Sequence, residues 1–253
     1  MTLVTTDALV LHVFDYRETS RIVRLLTREM GVVSAIARGA RRPRNRFGAA
    51  LDLFASGEAQ LVTTMGRDLH ALNAFEATRS RPALAESLDR FAAVSALAEL
   101  LLRFAPEQAD PGLLDAVTDA LDAIAVAPRG AAGPVALGGA WCLVAELGFA
   151  PALDDCASCH ARLDPGAAVT FHHRAGGALC ASCARHAPGA RTMPSEARDV
   201  LRGWLGRQGS PPLDDLLLRA HQRLLREFLE EHLADGVRPL RALLAWERNE
   251  VGA

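Results

Sequence analysis

Four cysteines form two identical pairs whose residue type and spacing could bind a metal ion. The sequence Cys-Ala-Ser-Cys occurs at 156–159 and again at 180–183, with twenty residues between the pairs. Each C-x2-C pair places two thiolates on one tight knuckle, and two knuckles supply the four sulfur ligands of a closed tetrahedral zinc site. The alternative is four unrelated buried cysteines, which seldom duplicate this spacing. The pattern predicts one structural zinc ion per chain, bound by Cys156, Cys159, Cys180 and Cys183.

Such an ion would organise the fold rather than catalyse a reaction. Four thiolates leave no ligand position for water, so the zinc contributes free energy of folding and not Lewis-acid chemistry. Gly176 and Gly177 permit the turn that returns the second pair to the first, and Cys142 is expected in a helical core. Four nearby histidines are then not needed as ligands: His160, His172, His173 and His186.

The second candidate site is the arginine-rich stretch 38–46, which holds five Arg in nine residues. It lies inside a segment, 30–51, that has no acidic residue. A loop of this charge can neutralise several phosphates, which gives an affinity that depends on salt rather than on base sequence. The alternative is a solvated loop. The predicted DNA-binding residues are Arg17, Arg38, Arg41, Arg42, Arg44 and Arg46.

Neighbouring residues carry a less specific signal. Phe47 follows the arginines and could stack on a base, although a core position is the more frequent one for such a residue. Arg21, Arg24 and Arg28 fall at places where strands often present arginine to solvent. They are left outside the predicted site.

The first eighty residues are predicted to form strands. Short runs rich in Val, Ile, Leu and Thr alternate with polar or glycine-containing turns about every ten residues. The count suggests a five-stranded Greek-key barrel, the oligonucleotide-binding (OB) fold, although a count alone does not fix topology. The predicted strands are 8–15, 21–28, 32–38, 58–64 and 69–75.

After residue 80 the apolar residues recur every three or four positions, which predicts helices. Pro82 is suited to the first turn of the first helix, Asp110 to the cap of the second, and Ser195 to the cap of the fourth. Between 151 and 194 this period is lost, and Cys, His, Gly and Pro accumulate. The helices are predicted through 84–101, 110–124, 141–147, 195–205, 217–232 and 238–246.

The fold class predicted is therefore α+β, with an OB-fold nucleic-acid-binding domain at 1–80 and a helical domain at 81–253. The zinc segment, 151–194, lies inside the second domain. Residues 1–80 carry a net charge of +3 and residues 81–150 one of −5, and every basic side chain apart from histidine is Arg. This polarity raises the alternative that the arginine-rich stretch packs on the acidic helices of 86–122.

Composition and motifs exclude several classes of protein. The apolar share of 50% is ordinary for a globular chain. We expect no secretory signal and no membrane span, and hence a cytoplasmic protein with reduced cysteines. Phosphate-binding loop, nucleophile-elbow and zinc-protease motifs are missing from the sequence, so no enzymatic activity is expected.

Several motifs together resemble the RecO family of bacterial recombination mediators and DNA repair proteins. They are Tyr-x-Glu-x-Ser at 16–20, Thr-x-x-x-Gly at 27–31 leading into the basic segment, and Phe-x5-Gly-x-Leu-Cys at 171–180. The order of strands, helices, zinc segment and closing helices resembles that family along the whole chain. Family members often carry Lys in the basic positions and some lack the complete cysteine set, which suits a scaffolding role for the zinc.

The resemblance implies a non-enzymatic mediator of DNA repair. It implies binding of single- and double-stranded DNA, annealing of complementary strands and help in loading RecA onto gaps coated with single-strand-binding protein. The implied partners are RecR, the acidic C-terminal tail of single-strand-binding protein and, indirectly, RecA, in a cytoplasmic, nucleoid-associated location without a membrane. An alternative is a zinc-ribbon adaptor that binds proteins and has only incidental affinity for DNA.

Overall fold

The computed structural model describes residues 1–48, 50–106, 108, 110–128 and 130–232. The chain divides into two compact units, Met1–Val126 and Ala127–Ala253, called units 1 and 2 below. The domain boundary predicted at residue 80 is a different division of the chain and stays a prediction. The predicted helix 238–246 lies outside the described residues.

Five strands of unit 1 close into a barrel in the order β1-β2-β3-β5-β4. Neighbouring strands are antiparallel except β3 and β5, which are parallel. All five predicted strands are confirmed, and the closed five-stranded barrel is OB-like. The strands are β1 (Thr2–Tyr16), β2 (Ser20–Thr27), β3 (Gly31–Ala37), β4 (Ser56–Thr63) and β5 (Leu69–Arg79).

Alternation along the strands decides which side chains fill the barrel. Val23 and Leu25 of β2 and Ala35 of β3 are buried in its core. Arg24 and Ser34, at the intervening positions, pair across the two strands. Successive side chains of a strand point to opposite faces, so Arg24 and Ser34 lie on the outer face of the barrel.

Two helices follow the barrel within unit 1: α1 (Leu88–Phe104) and α2 (Pro111–Val126). Pro82 opens a short 3-10 turn rather than α1, so the predicted start of that helix is wrong. The turn closes with the Ala85 N–H donating to the Pro82 carbonyl, and the extended backbone of Ser87 separates it from α1. The Asp110 cap is confirmed, because its carboxylate accepts a 3.0 Å hydrogen bond from the Gly112 N–H.

Among the residues of unit 2 that the structure describes, three longer helices and one of a single turn are present. Ser195, predicted to cap α5, is instead its first residue and makes no capping hydrogen bond, because Pro194 takes the cap position. The core joins α3 to α6 through Trp141 and Phe228, whose ring centroids lie 5.4 Å apart. The helices are α3 (Ala132–Val144), α4 (Ala181–Ala184), α5 (Ser195–Leu205) and α6 (Asp215–His232).

The stretch 132–149 is long and apolar enough to cross a membrane, by length and composition only. It consists of α3 and a following π-helical turn, Ala145–Phe149, within which Gly148 has a φ of +87°. Leu137, Trp141 and Val144 of this stretch are fully buried inside the protein. These are the positions of a core helix.

A small antiparallel sheet in unit 2 was not predicted. Its strands, β6 (Val169–His172), β7 (Gly177–Leu179) and β8 (Arg191–Met193), are ordered β7-β6-β8. Strands of three or four residues are too short to show an alternating pattern. The predicted zinc segment, 151–194, therefore contains regular secondary structure.

Candidate metal centre and nucleic-acid interface

The four predicted cysteines converge in unit 2. One sulfur atom from each lies within 4.8 Å of every other, and the Sγ atoms of Cys159 and Cys180 are 3.7 Å apart. Cys156 is buried, whereas Cys159 is exposed. This cluster could hold one metal ion, and it consists of the four cysteines without His160, His172, His173 or His186.

Backbone hydrogen bonds hold the two knuckles in place. The first turns at Cys156, whose carbonyl accepts from the His160 N–H at 2.9 Å. It is tied to β7 by the Ala157 N–H, which donates to the Ala178 carbonyl at 2.8 Å. In the second, the Ala184 N–H donates to the Cys180 carbonyl. The small sheet therefore positions the first knuckle through the bond to Ala178, and the second knuckle directly follows β7 in the chain.

Gly177 allows the two chain segments to approach closely. A Cβ added there would lie 2.2 Å from the Ala152 carbonyl oxygen, which is far inside contact distance. The φ of Gly177 is +153° and that of Gly176 is +79°. Both values favour glycine, so the predicted role of this glycine pair in returning the second knuckle is confirmed.

The sulfur atoms differ in their readiness to ionise. Burial opposes ionisation of Cys156, but the backbone N–H groups of Cys180, Cys159 and Ser158 outweigh it and lower the pKa of Cys156 to about 6. Hydrogen bonds with the thiols of Cys159 and Cys180 raise the pKa of Cys183 to about 12. Four ionised sulfurs at this spacing require a positive charge between them.

Arg198 of α5, which is not among the predicted site residues, supports the cluster. Its side chain is fully buried and its Nε and Nη2 donate to the Leu153 carbonyl at 3.0 and 2.8 Å. It also donates to the carbonyls of Asp164 and Ala167. Arg198 therefore binds the backbone on both sides of the first knuckle, at residue 153 and at residues 164–167.

We expect Arg198→Met to lower the free energy of unfolding of unit 2 by about 3 kcal/mol, because several buried carbonyls would lose a charged donor. Urea denaturation followed by circular dichroism would measure this loss. Arg202→Met is a matched control on the same helix, since Arg202 makes exposed ion pairs with Asp154 and Asp199. Equal stability of the two variants would contradict the role of Arg198.

The arginine-rich loop, residues 38–46, follows β3 at one end of the barrel. Five of the predicted arginines belong to it, and all of them are exposed, as is Arg17. Arg38, Arg42 and Arg44 make no side-chain hydrogen bond or ion pair with the part of the chain that the structure describes. These three guanidinium groups have their full charge available to a ligand.

Apolar residues anchor the loop to the barrel. Ala40 and Phe47 belong to the barrel core, and Phe47 is only 3% exposed. The Asn45 side chain accepts hydrogen bonds from the N–H groups of Phe47 and Gly48, at 2.9 and 2.8 Å. The predicted core position of Phe47 is confirmed, and a buried ring is not available for stacking on bases.

The other three predicted arginines, Arg17, Arg41 and Arg46, make contacts with neighbouring residues. Arg41 pairs with Asp15 at 3.4 Å and donates to the Arg17 carbonyl at 3.3 Å. The Arg46 guanidinium lies 4.9 Å from the Phe47 ring centroid and donates to the Leu72 carbonyl. Arg41 and Arg17 are therefore neighbours, whereas the contacts of Arg46 attach the loop to the barrel.

Acidic side chains of α2 pair with other arginines. Arg28 binds Asp115 at 2.8 Å. Arg81, whose side chain is buried, binds Asp122 at 2.7 Å and donates to the Phe54 carbonyl. Among the described residues, no ion pair joins the arginine-rich loop to α1 or α2. The structure therefore does not support the alternative that the arginine-rich loop pairs with the acidic helices.

Two family models cover most of the chain. The model described as "Recombination protein O N terminal" matches residues 1–81, and that described as "Recombination protein O C terminal" matches residues 85–241. The first contains the barrel with the arginine-rich loop, and the second contains the cysteine cluster.

Curated relatives match over similar lengths. A DNA repair protein RecO of Anaeromyxobacter sp. (strain K) is 40% identical over 240 residues, which cover 91% of each chain. The protein of that name from Symbiobacterium thermophilum is 35% identical over 80% of this chain and 79% of its own. That from Thermobifida fusca is 32% identical over 95% and 98%.

Proposed function

We propose that this chain, which belongs to the RecO family of DNA repair proteins, binds single- and double-stranded DNA and anneals complementary strands without catalysing a covalent reaction. Annealing requires that two strands lie close together with their charge neutralised and their bases free to pair. Phosphate contacts from arginine satisfy both conditions, because they neutralise charge without reading sequence.

The observation that carries this proposal is the exposed, acid-free arginine-rich loop at the end of an OB-like barrel. Arg38, Arg42 and Arg44 present unpaired guanidinium groups within seven residues of chain. Arg17 and Arg41 extend the same positive surface across the neighbouring turn. A guanidinium group is suited to phosphate because its planar donors bind two oxygens at once.

We also propose that the cysteine cluster binds one zinc ion as scaffolding. A tetrahedron of Zn–S bonds of about 2.3 Å requires sulfur atoms about 3.8 Å apart, close to the 3.7 Å between Cys159 and Cys180. The ion would supply the positive charge that lets all four sulfurs ionise. Its contribution would be to the stability of unit 2 and not to DNA chemistry.

RecR, single-strand-binding protein and, indirectly, RecA are the proposed protein partners. A cavity of about 170 Å³ in unit 2 supports contact with an acidic tail. Arg223 lines it beside apolar residues that include Met193 and Leu224, whereas Arg191 pairs with Glu227 of the same wall at 3.0 Å. His221, also in its wall, is neutral because burial lowers its pKa to about 4, and its ring nitrogens have no partner among the described residues.

We expect Arg223→Glu to weaken binding of a peptide with the acidic tail of single-strand-binding protein at least tenfold, since it reverses a charge beside the cavity. Isothermal titration calorimetry would measure the affinity. Arg219→Glu, one turn earlier on α6 and outside the cavity lining, is the matched control. An unchanged peptide affinity in Arg223→Glu would remove the cavity from the proposal.

Annealing of two complementary labelled oligonucleotides tests the function itself. Wild-type protein should accelerate annealing of naked strands and of strands coated with single-strand-binding protein, and the acceleration should fall as salt rises. An annealing rate equal to that of the protein-free strands at low salt would overturn the proposal.

The adaptor function is the second candidate, and the cavity in unit 2 is the observation that favours it. Capture of RecR and single-strand-binding protein by a chain with no measurable DNA affinity would support the adaptor over the annealing protein.

A further inference from the structure

The outer face of the barrel carries two continuous rows of side chains. Strand pairing places His12 opposite Arg24 and Phe14 opposite Ile22. The rows continue across β3 and β5, because Arg24 pairs with Ser34 and Ile22 with Ile36, which in turn pair with Leu69 and Ala71. Val13, Val23 and Ala35, at the intervening positions, pack inside the barrel. The two rows therefore face outward.

Each row contains one large apolar side chain that is exposed to solvent. Phe14 is 43% exposed and Leu69 is 40% exposed. The Phe14 ring meets the exposed ring of His12 edge to face, with centroids 5.7 Å apart. Exposed aromatic side chains on the face of such a barrel are groups on which successive bases of a single strand can stack.

The aromatic side chains along β1, His12, Phe14 and Tyr16, lie next to arginines of the proposed DNA site. Tyr16 lies two residues beyond Phe14 on the same face of β1, and the Arg17 guanidinium covers its ring at 5.2 Å. Arg41 is fastened to the same turn, since its N–H donates to the Thr19 carbonyl at 3.0 Å. Rings and cations therefore lie side by side at one end of the barrel.

We propose that this face, centred on Phe14 with His12 beside it, is the platform on which unpaired bases of single-stranded DNA stack. The inference rests on the proposed DNA binding and assigns the base contacts, which the buried Phe47 cannot make. The charge of Arg17 and Arg41 complements the phosphates of a strand whose bases lie on the rings. Duplex DNA keeps its bases stacked on each other, so the platform favours single strands.

Phe14→Ala tests this directly by fluorescence anisotropy with labelled oligothymidylate and a blunt-ended duplex. We expect the affinity for oligothymidylate to fall about five- to a hundredfold. Duplex affinity and the salt dependence of both should stay unchanged, because no phosphate contact is removed. Phe91→Ala is the matched control, since Phe91 is 40% exposed on α1, and it should bind like wild type.

Phe14→Trp should retain the affinity, and the emission that it adds should change when oligothymidylate binds. The platform would be overturned if Phe14→Ala bound oligothymidylate with wild-type affinity, or if it lost affinity equally for single strand and duplex. It would also be overturned if the emission of Phe14→Trp did not change on addition of oligothymidylate. Failure of the wild-type protein to bind any DNA would overturn the proposed function as well. Loss of binding on removal of the loop arginines, with no effect of Phe14→Ala, would overturn the platform alone.

Discussion

Replacing Arg38, Arg41, Arg42 and Arg44 together by Gln is expected to weaken binding of single-stranded DNA by at least about a hundredfold at 100 mM salt. Each contact that a guanidinium makes with phosphate releases condensed counterions, so the slope of log affinity against log salt should fall by about 3. Anisotropy titrations at several salt concentrations measure both quantities. Arg46 is left in place because it contacts Phe47 and the Leu72 carbonyl.

A matched control removes the same charge elsewhere. Arg67, Arg174, Arg185 and Arg219 are all exposed and lie outside the loop. Their joint replacement by Gln should leave the salt slope within error of wild type, because none of them belongs to the arginine-rich loop. Equal slopes in the two quadruple variants would show that net charge, and not the loop, determines affinity.

Cys156→Ser is expected to abolish stoichiometric zinc binding and to lower the thermal transition of unit 2 by more than about 10 °C. Cys156 is the most buried of the four ligand candidates, and backbone N–H groups lower the pKa of its thiol against the opposing effect of burial. Mass spectrometry of metal content and differential scanning calorimetry would measure the two effects.

Cys142→Ser is the control for that change. Cys142 lies on α3, and its thiol donates to the Trp204 carbonyl at 3.1 Å, a bond that a serine hydroxyl can also make. We expect full zinc content and a nearly unchanged transition. Full zinc content and unchanged thermal stability in Cys156→Ser would contradict the scaffolding role of the cluster.

The sequence predicts the barrel well because its strands are long enough to show their period. The run 32–38 alternates between buried and outward residues, and β3 occupies Gly31–Ala37. Local chemistry at helix starts is harder to predict. Asp110 caps α2 as expected, but Pro82 and Ser195 fit a helix start equally well and do not provide one.

Cysteine spacing predicts the metal cluster because four sulfurs in two C-x2-C pairs have few other uses. Arg198 could not be found in that way, since arginine on a helix usually lies in solvent. A signal is nevertheless present: Arg198 falls one turn before Leu201, on the buried face of α5. The outward position of Phe14 could not be predicted, because an apolar residue in a strand is expected in the core unless the strand register is known.

The rate of annealing of complementary strands by the variant lacking Arg38, Arg41, Arg42 and Arg44 tests most directly whether the loop carries the activity. The wild type and the control lacking Arg67, Arg174, Arg185 and Arg219 should accelerate annealing at low salt and lose the effect as salt rises. The loop variant should anneal no faster than protein-free strands. Annealing by the loop variant at the wild-type rate would contradict the account.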